Sequence, residues 1–327
     1  MKKSLLALAA LTAFVGAASA QSSVTLYGRV DMSVGKGIGT DAKSLGNGSG
    51  SRLGLRGSED LGGGLSAIFN IEHRFQADTG AVDSGGRFWR SRSFVGLKGG
   101  FGQVVLGREF APAYLMSQLT GDPFGNDNIP AGTLGGDGLT DKIVAGRIGK
   151  VRYDNSITYN IGAGGFSFGA QIAESDQSLG VAPFFPNRPI NFAVAYKGGP
   201  LSASLGYEST GEEAAAKAKW TTLTLAYNLG FATLGGFYGT GNTAADADHR
   251  AYMLSATAPV GGGEFRFAYG KLEDKSAGAD TDKGFALGYH YFMSKRTTLY
   301  VDVARDTGTS SGGDNETGYD VGIKHNF

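Results

Sequence analysis

The sequence contains no cysteine, and only four of its 327 residues are histidine and eight are proline. Without cysteine the chain has neither disulfide bonds nor thiolate metal sites, so backbone pairing and packing must stabilise it. Its 30 basic and 30 acidic residues balance, which gives no indication of a nucleic-acid partner. No apolar run approaches the roughly 20 residues that a membrane-spanning helix needs. These absences exclude a disulfide-rich domain and a helical membrane protein.

The amino terminus has the pattern of a secretory signal. Two lysines precede a short apolar run over residues 5–15, and an Ala-Ser-Ala cleavage box follows at 18–20. We expect residues 1–20 to be removed, which leaves residues 21–327 as the single domain of an exported protein. Loss of the two lysines reduces the basic residues to 28, so the mature chain stays close to neutral.

Glycine is abundant instead, with 55 residues, well above its usual share of roughly 7%. It lies within and between segments in which apolar and polar side chains alternate, as in Val24 and Leu26 against Arg29. Such alternation is typical of strands whose two faces meet different surroundings. We predict no amphipathic helix and sixteen strands, near residues 24–34, 51–59, 65–75, 88–98, 101–109, 152–160, 165–173, 190–197, 201–208, 220–229, 231–238, 250–258, 263–271, 284–292, 297–306 and 318–327.

The connections between these strands alternate between short glycine-rich turns and long links. Alternation is what an even-numbered antiparallel barrel requires when both termini lie at the short-turn end. A soluble β-sandwich could contain long links too, but nothing would make them alternate. The long links lie near residues 35–50, 76–87, 110–151, 174–189, 209–219, 239–249, 272–283 and 307–317. The longest of them, 110–151, either folds into the lumen and narrows it or remains a solvated outer loop.

The chain ends inside a strand, because the alternation continues from Tyr319 to Phe327. A closed barrel in lipid requires such an end, since an unpaired strand edge in hydrocarbon leaves backbone groups without hydrogen bonds.

Several segments resemble the strands of one known family: residues 22–28, 51–65 with its continuation to Glu72, 92–98, 152–159 and the terminal Phe327. They make the whole chain similar to the trimeric general porins of Gram-negative bacteria, most closely those of β-proteobacteria. The resemblance implies an all-β fold, a 16-stranded antiparallel transmembrane β-barrel of the outer membrane. It further implies short periplasmic turns, long extracellular loops and a third loop folded into the lumen.

The resemblance also implies partners. The chain would form a homotrimer, in which the second loop, about residues 76–87, contacts a neighbouring subunit. Outer-membrane lipids and lipopolysaccharide would surround it. Periplasmic chaperones and the barrel-assembly machinery would handle it, with Tyr319 and Phe327 as the carboxy-terminal assembly signal. Small hydrophilic solutes and anions would pass through it.

Arginines are the candidate pore residues. In the family, wall arginines face the third loop at the narrowest point, and the matching positions here are Arg52 and Arg92, with Arg152 favoured as the third and Arg147 competing with it. Alternation independently places five arginines opposite the apolar side chains: Arg52, Arg56, Arg90, Arg92 and Arg152. A charge facing lipid at midplane would cost about 2–4 kcal/mol, so these side chains should face water.

We therefore expect an excess of positive charge in the pore. Glu72 shares the inward face, and Asp122 and Asp127 in the longest link would reduce the excess. A narrow, positively charged passage concentrates anions. The resulting hypothesis is passive diffusion of small hydrophilic solutes with a moderate anion preference. The alternative is that each arginine only solvates the interior or pairs with an acid such as Glu72.

Other functions have less support in the sequence. A barrel enzyme needs a nucleophile beside a base, and we find no catalytic residues, since the four histidines fall in separate segments. We expect no cofactor and no metal site, although acidic loop clusters could bind calcium. A channel selective for one anion, such as phosphate or an organic acid, remains open, as does an adhesin, which would conduct no ions.

Overall fold

The computed structural model describes residues 22–83, 86–174, 188–213, 216–309 and 316–327. The expected signal peptide, residues 1–20, lies outside this part of the chain, as do most of the links 174–189 and 307–317. Within the described ranges, no helix is long and apolar enough to cross a membrane.

The described residues form one sheet of seventeen strands. The strands are β1 Ser23–Lys36, β2 Lys43–Asn47, β3 Ser51–Gly62, β4 Leu65–Phe75, β5 Arg92–Gly99, β6 Gly102–Phe110, β7 Arg152–Ala163, β8 Phe166–Ala173, β9 Ile190–Gly198, β10 Leu201–Glu213, β11 Ala216–Asn228, β12 Thr233–Asn242, β13 Asp248–Val260, β14 Gly263–Asp274, β15 Ala279–Phe292, β16 Thr297–Asp306 and β17 Thr317–Asn326. From β3 to β17, each strand pairs antiparallel with the next. The ring closes because β1 pairs with β3 through Ser23–Arg29 and with β17 through Arg29–Lys36. The predicted sixteen-stranded antiparallel barrel is confirmed.

The short strand β2 lies outside this ring of sixteen. It pairs with Met32–Lys36 of β1, beyond the segment that pairs with β3. Alternation did not reveal β2, because Leu45 is the one large apolar side chain among its five residues and a Gly-Ser-Gly interruption follows it at 48–50.

The two faces of the wall differ as alternation predicts. In β1 the side chains of Val24 and Leu26 are 67% and 58% exposed, whereas Asp31 is buried. Near the short turns, the hydroxyls of Tyr159 and Tyr289 on the outer wall donate to main-chain carbonyl oxygens. This is the position of an interfacial aromatic girdle. The outer face therefore suits lipid and the inner face suits water.

Two of the predicted long links are in fact short. β10 and β11 extend so far that only residues 214–215 separate them, and only residues 275–278 separate β14 from β15. Backbone pairing continues here although the side-chain alternation has ended. Such strand ends are invisible to a rule that reads only which side chains are apolar.

The link between β6 and β7, called the third loop below, folds into the barrel as predicted. It contains a π-helical turn Tyr114–Gln118, α1 Leu119–Gly121, a 3-10 turn Ile129–Ala131 and α2 Thr140–Ala145. The sequence analysis, which predicted no amphipathic helix, did not identify these segments, because turns this short show no helical period in the sequence.

The main apolar core lies between the third loop and one side of the inner wall. The loop contributes large side chains and the wall contributes mostly small ones: Phe124, Ile129, Leu139, Ile143 and Val144 pack against Ala251, Ala268, Ala286, Ala304, Trp220 and Met253. The alanines of β13–β16 leave room for the loop, and burial of its apolar side stabilises the inward position.

Candidate pore constriction

One carboxylate of the wall holds both ends of the third loop. Glu208 on β10 accepts hydrogen bonds from the amide of Lys150 (2.8 Å), the hydroxyl of Tyr153 (2.6 Å) and the side chain of Gln118 (3.2 Å). Gln118 lies early in the loop and Lys150 near its end. Glu208 therefore fixes how far the loop projects into the lumen.

The loop leaves a passage on the opposite side, beside β1, β3, β4 and β7. A cavity of about 340 Å³ lies there, which we call the arginine cavity. Arg29, Arg52, Arg74 and Arg152 line it from the wall, and the loop contributes Asp127 among others. Four guanidiniums thus share this narrow space with one lining carboxylate.

Three of these arginines form a row across adjacent strands. Arg29 is the cross-strand partner of Arg52, and Arg52 is the partner of Arg74. Neighbouring strands lie about 5 Å apart, so the three side chains leave the wall at one level. Nε of Arg52 donates to the carbonyl oxygen of Gly50 (3.0 Å), and Nη1 of Arg29 lies 2.9 Å from Oδ2 of Asp127. The row forms a band of positive charge at one height of the pore.

Arg74 is a lining residue that the sequence analysis missed. It follows Glu72 by two positions on β4, so the alternation that places Glu72 inward also applies to Arg74. Nε of Arg74 lies 4.0 Å from Oε1 of Glu72. Glu72 is buried, and it accepts a hydrogen bond from the hydroxyl of Tyr27 (3.0 Å). Glu72 therefore lies behind the arginine row rather than in the open passage.

Arg92 and Arg152 both lie over the ring of Phe110, with their guanidinium carbons 4.8 and 4.0 Å from its centre. Nε of Arg92 is also 3.2 Å from Oε1 of Glu109. Arg152 instead donates to the hydroxyl of Ser91 (3.1 Å). Arg92 is thus partly neutralised, whereas Arg152 is held by a neutral hydroxyl and an aromatic ring.

Arg147, the competitor of Arg152, points to another part of the lumen. It donates two hydrogen bonds, of 2.8 and 2.7 Å, to the buried carboxylate of Asp282 on β15. This contact helps to hold the third loop on its packed side. The structure brings Arg152, and not Arg147, into the arginine cavity.

Three other predicted arginines, Arg92, Arg56 and Arg90, do not line this cavity. Arg56 is exposed on the same face of β3 as Arg52, four residues nearer the short turn. Arg90 is not in a strand, because β5 begins only at Arg92, and it forms an ion pair with Asp83. The expected strand start at residue 88 is wrong, since Phe88 turns to stack on His73 with ring centres 4.2 Å apart.

The two predicted acids of the third loop differ in position. Asp127 faces the arginine cavity, and its Oδ2 also lies 3.7 Å from Nζ of Lys324. Asp122 does not face the pore: it is 4% exposed and accepts hydrogen bonds from two loop amides (2.9 and 2.8 Å). Burial raises the pKa of Asp122 to about 6. Asp122 therefore shapes the loop, which corrects the expectation that it adjusts the pore charge.

The two carboxy-terminal aromatics lie on the outer face of the barrel, where both are exposed. The main chain of Phe327 exchanges two hydrogen bonds of 3.1 Å with Gly28, so the last residue takes part in closing the ring. A Cβ at Gly28 would lie 2.4 Å from the Phe327 ring, which explains the glycine at that position.

A protein-family model described as Gram-negative porin matches residues 7–311. The chain belongs to this family. Its members are transport channels of the outer membrane, and this porin accordingly resides in the outer membrane of a Gram-negative cell. Its curated relatives include outer membrane porin protein 32 of Delftia acidovorans, 38% identical, and an outer membrane porin protein of Bordetella pertussis, 31% identical, each matched over 100% of both chains.

Solved structures share the barrel. The anion-selective porin from Comamonas acidovorans matches with a TM-score of 0.76 and 35% identity, covering 94% of this chain and 100% of that one. OmpF of Salmonella typhi matches with a TM-score of 0.69 and 17% identity, covering 93% and 97%. The second likeness concerns the fold alone.

Proposed function

We propose that this porin is a general diffusion channel with a moderate anion preference, through which small hydrophilic solutes pass passively. The observation that carries the proposal is the arginine cavity, whose four arginines face one acid of the third loop. Low-dielectric walls focus such a field and raise the local anion concentration. The relative described as an anion-selective porin, at 35% identity, supports the same preference here.

The preference should be moderate, because acids neutralise part of the charge. Carboxylates lie beside Arg29, Arg74 and Arg92. Arg52 and Arg152 contact a carbonyl oxygen and a hydroxyl instead. We therefore assign Arg52 and Arg152 as the main selectivity residues and the other three as lesser contributors.

Single-channel recording in planar bilayers tests this function. In a KCl gradient, we expect a reversal potential of the sign that chloride preference produces. A reversal potential of the opposite sign would reject the electrostatic assignment, and a protein that inserts without conducting would reject the channel itself.

A second candidate is a channel selective for one oxyanion, such as phosphate or an organic acid. Nε of Arg74 and Nε of Arg152 are buried and have no hydrogen-bond partner among the described residues. The oxygen atoms of a solute that enters the arginine cavity would reach these two donors only if the arginine side chains moved toward the solute. Adding phosphate to one side distinguishes the candidates, because a selective channel would show saturable block of the chloride current, whereas a general pore would not.

We propose a homotrimer as the assembly. The second loop and its flank expose Val82 (46%), Phe88 (58%) and Trp89 (37%), and burial against a neighbouring subunit would remove this apolar surface from water. Light scattering in detergent should give the mass of three chains, and Phe88→Ser should lower it.

We also propose Tyr319 and Phe327 as the assembly signal, so Phe327→Ser should lower the yield of folded barrel.

An enzymatic role has no support in the contacts of the histidines. His73 stacks on Phe88, and His249 lies in β13 with Nδ1 2.9 Å from the carbonyl oxygen of Gly146. Nε2 of His290 lies 3.0 Å from the carboxylate of Asp302. Nδ1 of His325 lies 2.9 Å from the hydroxyl of Thr297. Each ring therefore has a local structural contact of its own.

A further inference from the structure

The lipid-facing wall has a depression over β11–β14, which we call the dent. The strand register places Leu225, Gly236, Leu254 and Tyr269 side by side in one outward row. A Cβ added to Gly236 would meet no atom within 4 Å. In the part of the chain that the structure describes, Gly236 is the one glycine in a strand interior that opens into such empty space. A cavity of about 520 Å³ lies over this position.

A second outward row, with mostly polar side chains, lies next to the dent on the side of the long loops. Its members pair across neighbouring strands, and they are Leu223, Tyr238, Tyr252, Lys271 and Lys283. The two tyrosine rings lie 5.4 Å apart between centres. Tyrosines on the outer wall mark the level of the membrane interface. The lysines therefore lie where lipid head groups begin.

The charges around these lysines have a positive excess. The next row toward the loops contains Arg250, Glu273 and Asp280. Lys271 pairs with Glu273 and lies 3.7 Å from Asp280, and Lys283 lies 3.2 Å from Asp280. Lys275 lies 3.7 Å from Glu273, while Asp274 accepts hydrogen bonds from amides of its own turn. Asp248 is exposed beside Lys275, whose amide donates to its carbonyl oxygen (2.7 Å), so four cations surround three acids.

We propose that the dent and the lysine row form a binding site for a phosphorylated lipid of the outer leaflet. One acyl chain would fill the space over Gly236, and a phosphate would lie between Lys271 and Lys283. The order of surfaces along the wall supports this occupant. The apolar dent comes first, the rings of Tyr238 and Tyr252 follow, and the ammonium groups of the lysines come last. This order matches the acyl chain, the interfacial region and the anionic head group of such a lipid. The site lies outside the pore, so it is independent of ion selectivity.

The dent also distinguishes this occupant from free phosphate. Inorganic phosphate has no part that would fill an apolar space, so it would gain only from the lysines. A lipid without phosphate would gain only from the dent. A phosphorylated lipid should need both features, which makes the two halves of the site separately testable.

Native mass spectrometry of the purified porin in detergent tests the site. The probes are bis-phosphorylated lipid A, the same lipid after removal of its phosphates, and inorganic phosphate. We expect Lys271→Gln with Lys283→Gln to weaken binding of the phosphorylated lipid about tenfold or more, and to leave the dephosphorylated lipid nearly unchanged. Gly236→Leu should weaken binding of both lipids, since its side chain fills the dent.

The matched control is Lys295→Gln with Arg296→Gln, which removes the same charge from an exposed turn at the other end of the barrel. This variant should bind lipid like the unmodified chain. Conductance confirms that each variant is folded, and Gly236→Ala replaces the leucine variant if that one does not fold. Equal lipid binding by the lysine variant and its control would overturn the proposal. So would inorganic phosphate competing as well as lipid A, or a loss of oligomer mass in the Gly236 variant, which would assign the dent to a second copy of the chain.

Discussion

The double substitution Arg52→Gln with Arg152→Gln should largely remove the anion preference. A sphere of the volume of the arginine cavity, about 340 Å³, has a radius of about 4 Å. This volume holds the positions open to the centre of an ion, and the lining atoms lie about 3 Å beyond it, so a central ion lies about 7 Å from each lining guanidinium. At that distance two unit charges in water interact by about 0.6 kcal/mol, and screening over a Debye length of about 8 Å leaves about 0.25 kcal/mol. Each arginine attracts the anion and repels the cation by that amount. Losing one arginine therefore changes the permeability ratio about twofold, and losing both changes it about fivefold.

Reversal potentials in planar bilayers measure this ratio directly. The matched control is Arg56→Gln, because Arg56 leaves the same face of β3 four residues away. That spacing is about 13 Å along a strand, longer than the Debye length, so the control should change the ratio less than twofold. In about 1 M salt, where the Debye length is about 3 Å, the unmodified pore should lose most of its preference.

Two results would refute this reasoning. A double variant that keeps the original ratio would show that the arginine cavity does not set selectivity. A control that shifts the ratio as much as the double variant would show that selectivity arises from charge spread along the whole lumen.

The loop contacts lead to three further predictions. Glu208→Ala removes the acceptor of three hydrogen bonds, so we expect a free energy of unfolding about 2–4 kcal/mol lower and larger, noisier single-channel currents, with Glu208→Gln as the milder control. Arg147→Ala leaves the buried Asp282 with Lys142 at 3.8 Å, and a denaturant titration should show a loss of about 2–3 kcal/mol; an unchanged midpoint would contradict this. Burial raises the pKa of Asp122 to about 6 from an ordinary value near 3.9, so its contribution to stability is complete below about pH 4 and is lost as the pH rises through 6. Asp122→Asn should flatten that part of the pH profile of unfolding, and identical profiles would argue against a buried acid.

Alternation predicted the barrel because each wall strand separates lipid from water. Val24 and Leu26 face outward while Asp31 faces inward, and the same contrast recurs around the ring. The rule fails where that contrast ends. The outer parts of β10 and β11 and the strand β2 are held by backbone hydrogen bonds, which leave no apolar pattern in the sequence.

Of the residues at the candidate constriction, only those on the strands of the barrel wall could be predicted from the sequence. Arg74 has a strand position whose direction follows from that of Glu72, so alternation could have identified it. Asp122 lies in a loop without a period, and its burial depends on contacts with residues distant in the chain, such as the hydroxyl of Thr140 (3.1 Å). The choice between Arg147 and Arg152 likewise depended on Asp282, which is far away in sequence and near in space.

The arginine row destabilises the barrel wall, and the same repulsion explains why the row attracts anions. Like charges directly opposite each other destabilise a strand pair by about 0.2–1 kcal/mol, and the row contains two such pairs. Acids flank its two ends, since Asp127 contacts Arg29 and Glu72 lies near Arg74. Arg52 in the centre has a carbonyl oxygen as its hydrogen-bond acceptor. An anion that reaches this level reduces the repulsion within the row, whereas a cation adds to it. The repulsion within the row when no anion is bound and the preference of the pore for anions therefore have the same physical origin.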